Sequence, residues 1–347
     1  MKNELPATRY YGSKRKIINN IWEIILSQNF EFNSVLDLFG GTGTFAYKAK
    51  LEGKKVFYND IFRFNYFIGK ALIQNNKIKL SNRDISFLIA KQEQVKYKYY
   101  IKEYYYDIYY LNHENEIFDI IVQNIAFLKD NYKKAMAFYA LFQTALIKRP
   151  FNSFHRKNLS LRTRDVPRKF GNKVTWEKDT IETFKAFCYE INKYVFSNNQ
   201  PNKSVNYSAL ACQETADLIY IDPPYINKKG MHVDYHSRYH FLEALTHYDD
   251  FVRFIDFNKL NKEVVINKSE EFENKNEVYE HVDRLISKYK EKIIVFSYRN
   301  QGIPSPGELK EIFLTQKKTC KEFTIHNHYY ALNRSNNELH ELVYILQ

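Results

Sequence analysis

Cysteine is scarce in this chain of 347 residues: Cys188, Cys212 and Cys320 lie far apart, with no Cys-x-x-Cys pair. No His cluster accompanies them, which speaks against a disulfide framework and a zinc site, so no metal is expected. No apolar run approaches the roughly 18 residues that a membrane-spanning helix requires. The opening stretch MKNELPATRYYGSKRK is polar and lacks the apolar core of a signal peptide. A soluble, cytoplasmic protein without a membrane partner is expected. Internal repeats and low-complexity linkers are also missing. Acid is in deficit, with 40 Asp and Glu against 52 Lys and Arg and a formal charge of +12. Such a deficit points to a polyanionic partner. Part of the lysine excess travels with a general abundance of Asn, Ile, Tyr and Phe. Where the charges lie therefore matters more than their sum.

Core material is plentiful: 44% of the residues are hydrophobic, enough for one large domain or two ordinary ones. The stretch NSVLDLFGGTGTFAYKAKLEGKKVFYNDIF reads as a strand, a loop, a helix and a strand. Val35 to Leu38 predicts a short buried strand, and Phe39 to Gly43 a glycine loop. Thr44 to Leu51 predicts a helix stopped by Gly53, and Lys55 to Asn59 a second strand ending at Asp60. Parallel strands joined by a crossover helix imply an open α/β sheet. From roughly Phe64 to Asn206 the pattern is mostly helical. Strand patterns return over Ala216 to Ile221, Glu263 to Asn267 and Lys292 to Tyr298. The terminal CKEFTIHNHYYALNRSNNELHELVYIL predicts an antiparallel edge hairpin. The simplest architecture is an α/β domain over 1–65 and 206–347, split by an inserted, basic, mostly helical module over 66–205.

The loop sequence GTGTFA (Gly41 to Ala46) fits the G-x-G-x-x-G/A pattern, with Asp60 at the end of the next strand. Glycines let a backbone approach a ligand closely, and an acid in that place suits ribose hydroxyls. Asp37, just before the loop, would repel a pyrophosphate but could hold a cation. S-adenosylmethionine has that character: a sulfonium, an amino group, a ribose and an adenine, with no phosphate. The loop therefore favours it over a nicotinamide cofactor.

A second signal is ADLIYIDPPYINKKG (Ala216 to Gly230), where an apolar strand runs straight into Asp222-Pro223-Pro224-Tyr225. Two prolines cannot donate to a ladder, so the strand stops there. This is where open α/β sheets bind ligands. A carboxylate and a proline carbonyl suit an exocyclic amino group, which carries two N–H donors. In adenine the N6 lone pair is delocalised into the ring. Accepting from both N–H groups, through Asp222 and the Pro223 carbonyl, would localise that lone pair for attack on an electrophile. Tyr225 can stack on the base, which must leave the duplex to reach such a pocket.

DPPY (Asp222 to Tyr225) and DLFGGTG (Asp37 to Gly43) resemble the catalytic and cofactor motifs of adenine-N6 DNA methyltransferases. RYYGSK (Arg9 to Lys14) is similar to the N-terminal motif of the DNA adenine methylase branch, aromatic-x-Gly-Gly-Lys, and the motif order is that of the alpha group. Segments such as RKFGNKVTW, DYHSRYHFLEALTHYDD and FSYRNQGIPS extend the resemblance over nearly the whole chain. It implies a Rossmann-like S-adenosylmethionine-dependent methyltransferase sheet with an inserted, mostly helical DNA-recognition module. Tyr10, Tyr11, Gly12 and Lys14 would line the cofactor pocket. Asp37, Phe39, Gly40, Gly41, Thr42 and Gly43 would hold the methionine part, and Asp60 the ribose. Asp222, Pro223, Pro224 and Tyr225 would form the adenine pocket, with Asp222 also near the cofactor. The implied partners are double-stranded DNA and, in a restriction–modification setting, a cognate endonuclease. Two positions depart from the branch: Ser13 stands for the second glycine, and Ser208 replaces an acid usually offered to the cofactor's adenine.

Charge placement agrees with a DNA partner. Between Lys148 and Lys173, nine Lys or Arg face one acid, Asp165. Arginine there suits bidentate contact with phosphates or guanine edges. Arg9, Arg156, Lys157, Arg162, Arg164, Arg168, Lys169 and Lys173 are the candidate DNA contacts, with Phe151, Phe154, Phe170 and Trp176 interleaved as stacking or core residues. The tyrosine-dense stretch Tyr97 to Tyr110 could meet DNA, but packing is the better account. HSRYH (His236 to His240) suggests a DNA or substrate loop more than metal ligands. Other readings stay open: an amine methyltransferase acting on cytosine N4 or RNA, or an inactive DNA-binding relative. Relatives acting on cytosine N4 more often carry Ser at the place of Asp222.

Overall fold

Short apolar runs that end in glycine, proline or acid become the strands of this chain. The computed structural model describes residues 5–7, 9–149, 153–164, 173–266, 271–316, 319–326 and 340–347. Strand β1 spans Ser34–Asp37, a helix spans Thr44–Leu51, and β2 spans Lys55–Asn59. The other strands are β3 (Lys203–Val205), β4 (Leu218–Ile221), β5 (Ile226–Asn227), β6 (Ile293–Arg299), β7 (Gly302–Ile303), β8 (Cys320–Ile325) and β9 (Glu341–Leu346). Among the described residues, seven strands form one sheet in the order β3-β2-β1-β4-β6-β9-β8. The first five in that order run parallel, while β9 runs antiparallel to both β6 and β8. Strands β5 and β7 form a separate ribbon. From β1 the chain moves to β2 on one side and later to β4 on the other. That reversal opens a crevice at the carboxyl ends of the strands. Asp37 ends β1, Asp60 follows β2, and Asp222 follows β4, so all three carboxylates stand at that edge.

Both faces of the sheet are covered, as expected for apolar parallel strands. Leu36, Leu38, Ile219, Ile221, Ile294 and Phe296 pack with Leu285, Ile286, Leu309 and Phe313, the last four from helices Val278–Lys288 and Pro306–Thr315. By strand alternation Tyr220 faces the other way. There Phe45 stacks on it with ring centroids 3.8 Å apart, and Trp22 of helix Ile18–Leu26 lies 5.9 Å from Phe45.

The chain forms two compact units, one of Met1–Gly69, Ser197–Asp234 and Ser269–Gln347, the other of Lys70–Phe196 and Tyr235–Lys268. The first boundary falls at 69 where 65 was expected, and the bounds differ more at two further places. Strand β3 joins the first unit because Ser204 and Val205 pair with Tyr58 and Asn59 of β2. Residues 235–268 join the second, because Phe241 of helix Tyr235–Thr246 stacks on Phe154 at 4.9 Å and meets Tyr105 edge-on at 5.1 Å. Among the described residues 263–266 the expected strand is not formed. A single bridge joins Ile255 and Val264, and the Glu263 side chain serves Ser237 at 2.7 Å and Lys259 at 3.0 Å.

Among its described residues the second unit is helical apart from that bridge, with long helices at Asn112–Phe127, Asn131–Ile147 and Thr180–Tyr194. Its tyrosines build the core: Tyr105, Tyr109 and Tyr110 are fully buried. The Tyr109 hydroxyl bonds the Asn261 carbonyl at 2.7 Å, and that of Tyr110 bonds the Ala145 carbonyl at 2.6 Å. His236 and His240 are buried too, which corrects the DNA or substrate-loop expectation for HSRYH. Burial pushes the His240 pKa down to about 3, and its Nδ1 accepts from the Val264 amide at 3.1 Å.

Candidate active site

The glycine loop is shaped by a tyrosine beneath it. A Cβ on Gly40 would lie 2.1 Å from the Tyr58 ring, and one on Gly69 would lie 2.3 Å from it, so Tyr58 fits only between two glycines. The Tyr58 hydroxyl donates to the Gly41 carbonyl at 2.7 Å. Gly41 and Gly43 take φ of +50° and +71°, a region costly for other residues. Gly43 ends the turn with its amide on the Gly40 carbonyl at 2.8 Å and caps the helix Thr44–Leu51. Thr42 and Thr44 share a hydroxyl bond of 2.8 Å. Phe39 turns away from the loop, edge-on to Phe272 at 5.1 Å. Tyr10 comes nearest the loop from the N-terminal motif, with Cε1 3.8 Å from where a Gly41 Cβ would stand. Gly12 has φ +80°, and Ser13 accepts from the Arg15 amide to start the turn that carries Lys14. Tyr11 is half-buried.

Asp60 fastens the loop to β2. One oxygen accepts from the Gly41 amide and the other from the Phe62 amide, each at 2.8 Å. Asn206 holds the Asp60 carbonyl at 2.7 Å. Asn59, buried, bonds the Leu38 carbonyl at 3.0 Å and the Tyr207 carbonyl at 3.1 Å, tying the ends of β1 and β2 together. Burial pushes the Asp60 carboxyl up to about 6 despite those amide bonds. Asp37 is almost wholly buried and accepts from the Ala46 amide at 3.1 Å. Burial raises it well above the usual carboxylate range, and the nearby Asp222 and Asp60 charges raise it further. Carboxylates raised in this way gain from a cation brought among them. Ser208 accepts from the Ala211 amide at 3.3 Å within its own turn.

Asp222, Tyr225 and Lys14 come together at the end of β4. Lys14 Nζ lies 2.9 Å from Asp222 Oδ1 and 2.7 Å from the Tyr225 hydroxyl, which also donates to Asp222 Oδ1. Tyr298 meets the Tyr225 ring edge-on at 5.2 Å. Burial alone would lower the Lys14 pKa, but Asp222 and Glu341 outweigh it and hold the ammonium above its ordinary value. Asp222 is raised by burial, with Glu341 adding and Lys14 opposing. Pro223 is buried and Pro224 half-buried beside it. This edge can hold a cationic ligand among Asp37, Asp60 and Asp222, next to a carboxylate set to accept from an amino group.

Residues 10–312 match the family model described as D12 class N6 adenine-specific DNA methyltransferase. The chain belongs to that family. Its relatives include the type II methyltransferase M2.HphI of Haemophilus parahaemolyticus, 25% identical over 99% of this chain and 98% of that protein. The type II methyltransferase M.NlaIII of Neisseria lactamica is 24% identical over 88% of this chain and 87% of its own. The type II methyltransferase M.FokI of Planomicrobium okeanokoites is 26% identical over 98% of this chain, which spans only 52% of that protein. An adenine-specific DNA methyltransferase needs a methyl donor and a DNA substrate. Adenine N6 thereby replaces the cytosine-N4 and RNA alternatives. No helix among the described residues is long and apolar enough to cross a membrane.

For this methyltransferase the basic stretch divides in two. Arg156, Lys157, Arg164 and Lys173 are exposed, and Arg9 is half-buried. Lys157 pairs with Asp107 at 2.8 Å and Lys173 with Glu177 at 3.4 Å, both at the surface. Arg168 and Lys169, with Phe151 and Phe170, lie outside the described residues. Arg162 is a correction: its guanidinium is turned inward in a two-pronged pair with Glu114, at 2.8 and 3.0 Å. Phe154 and Trp176 are core residues. Sequence reasoning missed Glu341, Ser297, Asn59 and Tyr58. Glu341 alone left a trace, as a charge opening the otherwise apolar strand ELVYIL.

Proposed function

We propose that the methyl donor is S-adenosylmethionine and that the target is an adenine turned out of a specific duplex site. The observation that carries this reading is the grouping of Asp37, Asp60 and Asp222 at the switch point of the sheet. Asp37 would hold the cationic methionine part over the glycine loop, with Tyr10, Tyr11, Gly12, Lys14 and the Phe39 to Gly43 backbone around it. Asp60 would take the ribose hydroxyls while keeping its two amide bonds. When bound, the cofactor supplies an electrophilic methyl group. Asp222 and the Pro223 carbonyl would accept the two adenine N–H groups and orient the nitrogen lone pair, with Pro224 stiffening the turn. Tyr225 would stack on the base. Preorganised acceptors and close positioning supply most of the acceleration in such a transfer. A restriction–modification role in the cytoplasm, beside a cognate endonuclease, fits the type II relatives. Modification-aware sequencing of DNA from cells expressing the protein tests the reading. N6-methyladenine at one recurring sequence is expected, and unmodified DNA would overturn it.

The raised Asp60 gives a pH signature. A ligand that needs the ionised carboxylate releases the proton held below about 6. Cofactor affinity should therefore rise with pH and level off above that value, by at most about tenfold per pH unit for one proton. Asp60→Asn should remove that part of the rise and weaken binding by about 1–3 kcal/mol. Calorimetry from pH 5 to 8 checks both. An unchanged profile would take the ribose role from Asp60.

The second unit, as the target-recognition module, would present Arg156, Lys157, Arg164 and Lys173 to DNA, with Arg168 and Lys169 from the same stretch and Arg9 from the N-terminal motif. If Arg156 or Arg164 reads a guanine edge, its alanine variant should lose about 1–3 kcal/mol of discrimination at one base position. A phosphate contact would instead weaken all sequences alike and flatten the salt dependence. Binding titrations at several salt concentrations separate the two. Variants that leave affinity, specificity and salt slope unchanged would remove the assignment.

A further inference from the structure

Asp222 carries two donors on one oxygen, Lys14 Nζ and the Tyr225 hydroxyl. An arriving amino group would compete with both donors for the charge of that carboxylate, so a second acceptor for them would ease its entry. Glu341 stands where one is needed: its Oε1 is 3.3 Å from Lys14 Nζ and 3.2 Å from the Tyr225 hydroxyl. Its side chain has 0% exposure against 17% for Asp222, so Asp222 can meet a substrate while Glu341 cannot. Strand alternation puts it there. Leu342, Tyr344 and Leu346 face the core beneath the sheet, which turns Glu341 to the opposite face. From β6, Ser297 donates to the same Oε1 at 2.5 Å. A carboxylate buried at the head of an apolar strand carries a desolvation cost that its partners must offset. Glu341 also lies beyond the 10–312 stretch matched by the family.

We propose that Glu341 is a positioning residue for the methyl transfer. It is a second acceptor that draws the Lys14 ammonium and the Tyr225 hydroxyl off Asp222 when the target amino group arrives. The proposal rests on Asp222 being the acceptor for that amino group. With Glu341 in place, Lys14 shifts its weight between two carboxylates it already touches. Without it, Lys14 stays fully on Asp222, and the amino group meets a carboxylate whose charge is already engaged in a buried ion pair. Glu341, with its side chain fully buried, acts through Lys14 and Tyr225 and not on the substrate itself.

Single-turnover methylation of a site-containing duplex tests this on the wild type, Glu341→Gln, Lys14→Met and the double variant. Cofactor and DNA affinities are measured on each. Glu341→Gln is expected to slow the transfer by about tenfold or more, with both affinities kept within about twofold. In the Lys14→Met background the same change should have little further effect, because no ammonium remains to be drawn away. A wild-type rate in Glu341→Gln would overturn the proposal. So would a loss of cofactor affinity as large as the loss of rate, or additive effects in the double variant. A wild-type enzyme that methylates no adenine would instead overturn the functional reading beneath it.

Discussion

Asp222→Ala is expected to slow single-turnover methylation by about 10² or more, the loss typical of a preorganised transition-state contact. DNA affinity should change far less, and cofactor affinity only modestly. The carboxylate acts as an acceptor and not as a strong base. An aniline-like amine gives up its proton easily only after it has gained the methyl group and a positive charge. Burial raises Asp222 while Lys14 opposes that rise, so acid should protonate it and remove the acceptor. The wild-type rate should therefore fall as pH drops through that raised value, and Asp222→Ala should lose this limb of the profile. Tyr225→Phe should keep much of the rate, because it also lifts one donor off Asp222 Oδ1. Tyr225→Ala should lose the stacked base, seen as lower 2-aminopurine fluorescence at the target. An Asp222→Ala enzyme running at the wild-type rate would end the assignment of Asp-Pro-Pro-Tyr as the catalytic pocket.

What the sequence displayed was local chemistry. The helix Thr44–Leu51 and strand β2 fall on the expected residues, since apolar periodicity and a terminating glycine are short-range signals. The three crevice acids were legible because each directly follows or ends a strand, and chain order alone puts strand ends at one edge. Glu341 was not legible, because its partners Lys14 and Tyr225 arrive from distant parts of the chain, the latter 116 residues away. The same holds for residues 235–268. Their helix looks like the sheet domain's own until Phe241 finds Phe154 and Tyr105. The strand expected at Glu263 failed for a related reason: a short apolar run was present, but the acid had three polar neighbours to serve, Ser237, Lys259 and His236. Arginine-rich sequence, likewise, does not announce which guanidinium turns inward.

Glu114→Ala is expected to destabilise the second unit by about 3–5 kcal/mol, because it strips a buried site of its anion and leaves two cations facing each other. Glu114 holds Lys148 at 2.8 Å and Arg162 at 2.8 Å, with side-chain exposures of 2% and 6% for the two cations. It also accepts from the Leu111 amide at 2.9 Å. Lys148 and Arg162 each reach the Trp176 carbonyl at 3.0 Å, so one carboxylate organises the start of helix Asn112–Phe127 and the segments around Arg162 and Trp176. Burial pushes the Glu114 carboxyl up, but Arg162 and Lys148 outweigh it and hold it below the ordinary Glu value. A depressed acid contributes stability that is fully present above its unfolded value and is lost as pH falls through the folded one. Denaturant unfolding at pH 7 should therefore separate wild type from Glu114→Ala clearly, and the gap should narrow in acid. Arg162→Ala should share the loss of stability, whereas the exposed Arg164→Ala should stay within about 0.5 kcal/mol of wild type. That contrast is the decisive one. Should Arg162→Ala unfold like the wild type but change which DNA site is methylated, the inward pair is not what holds this arginine, and it returns to the DNA contacts.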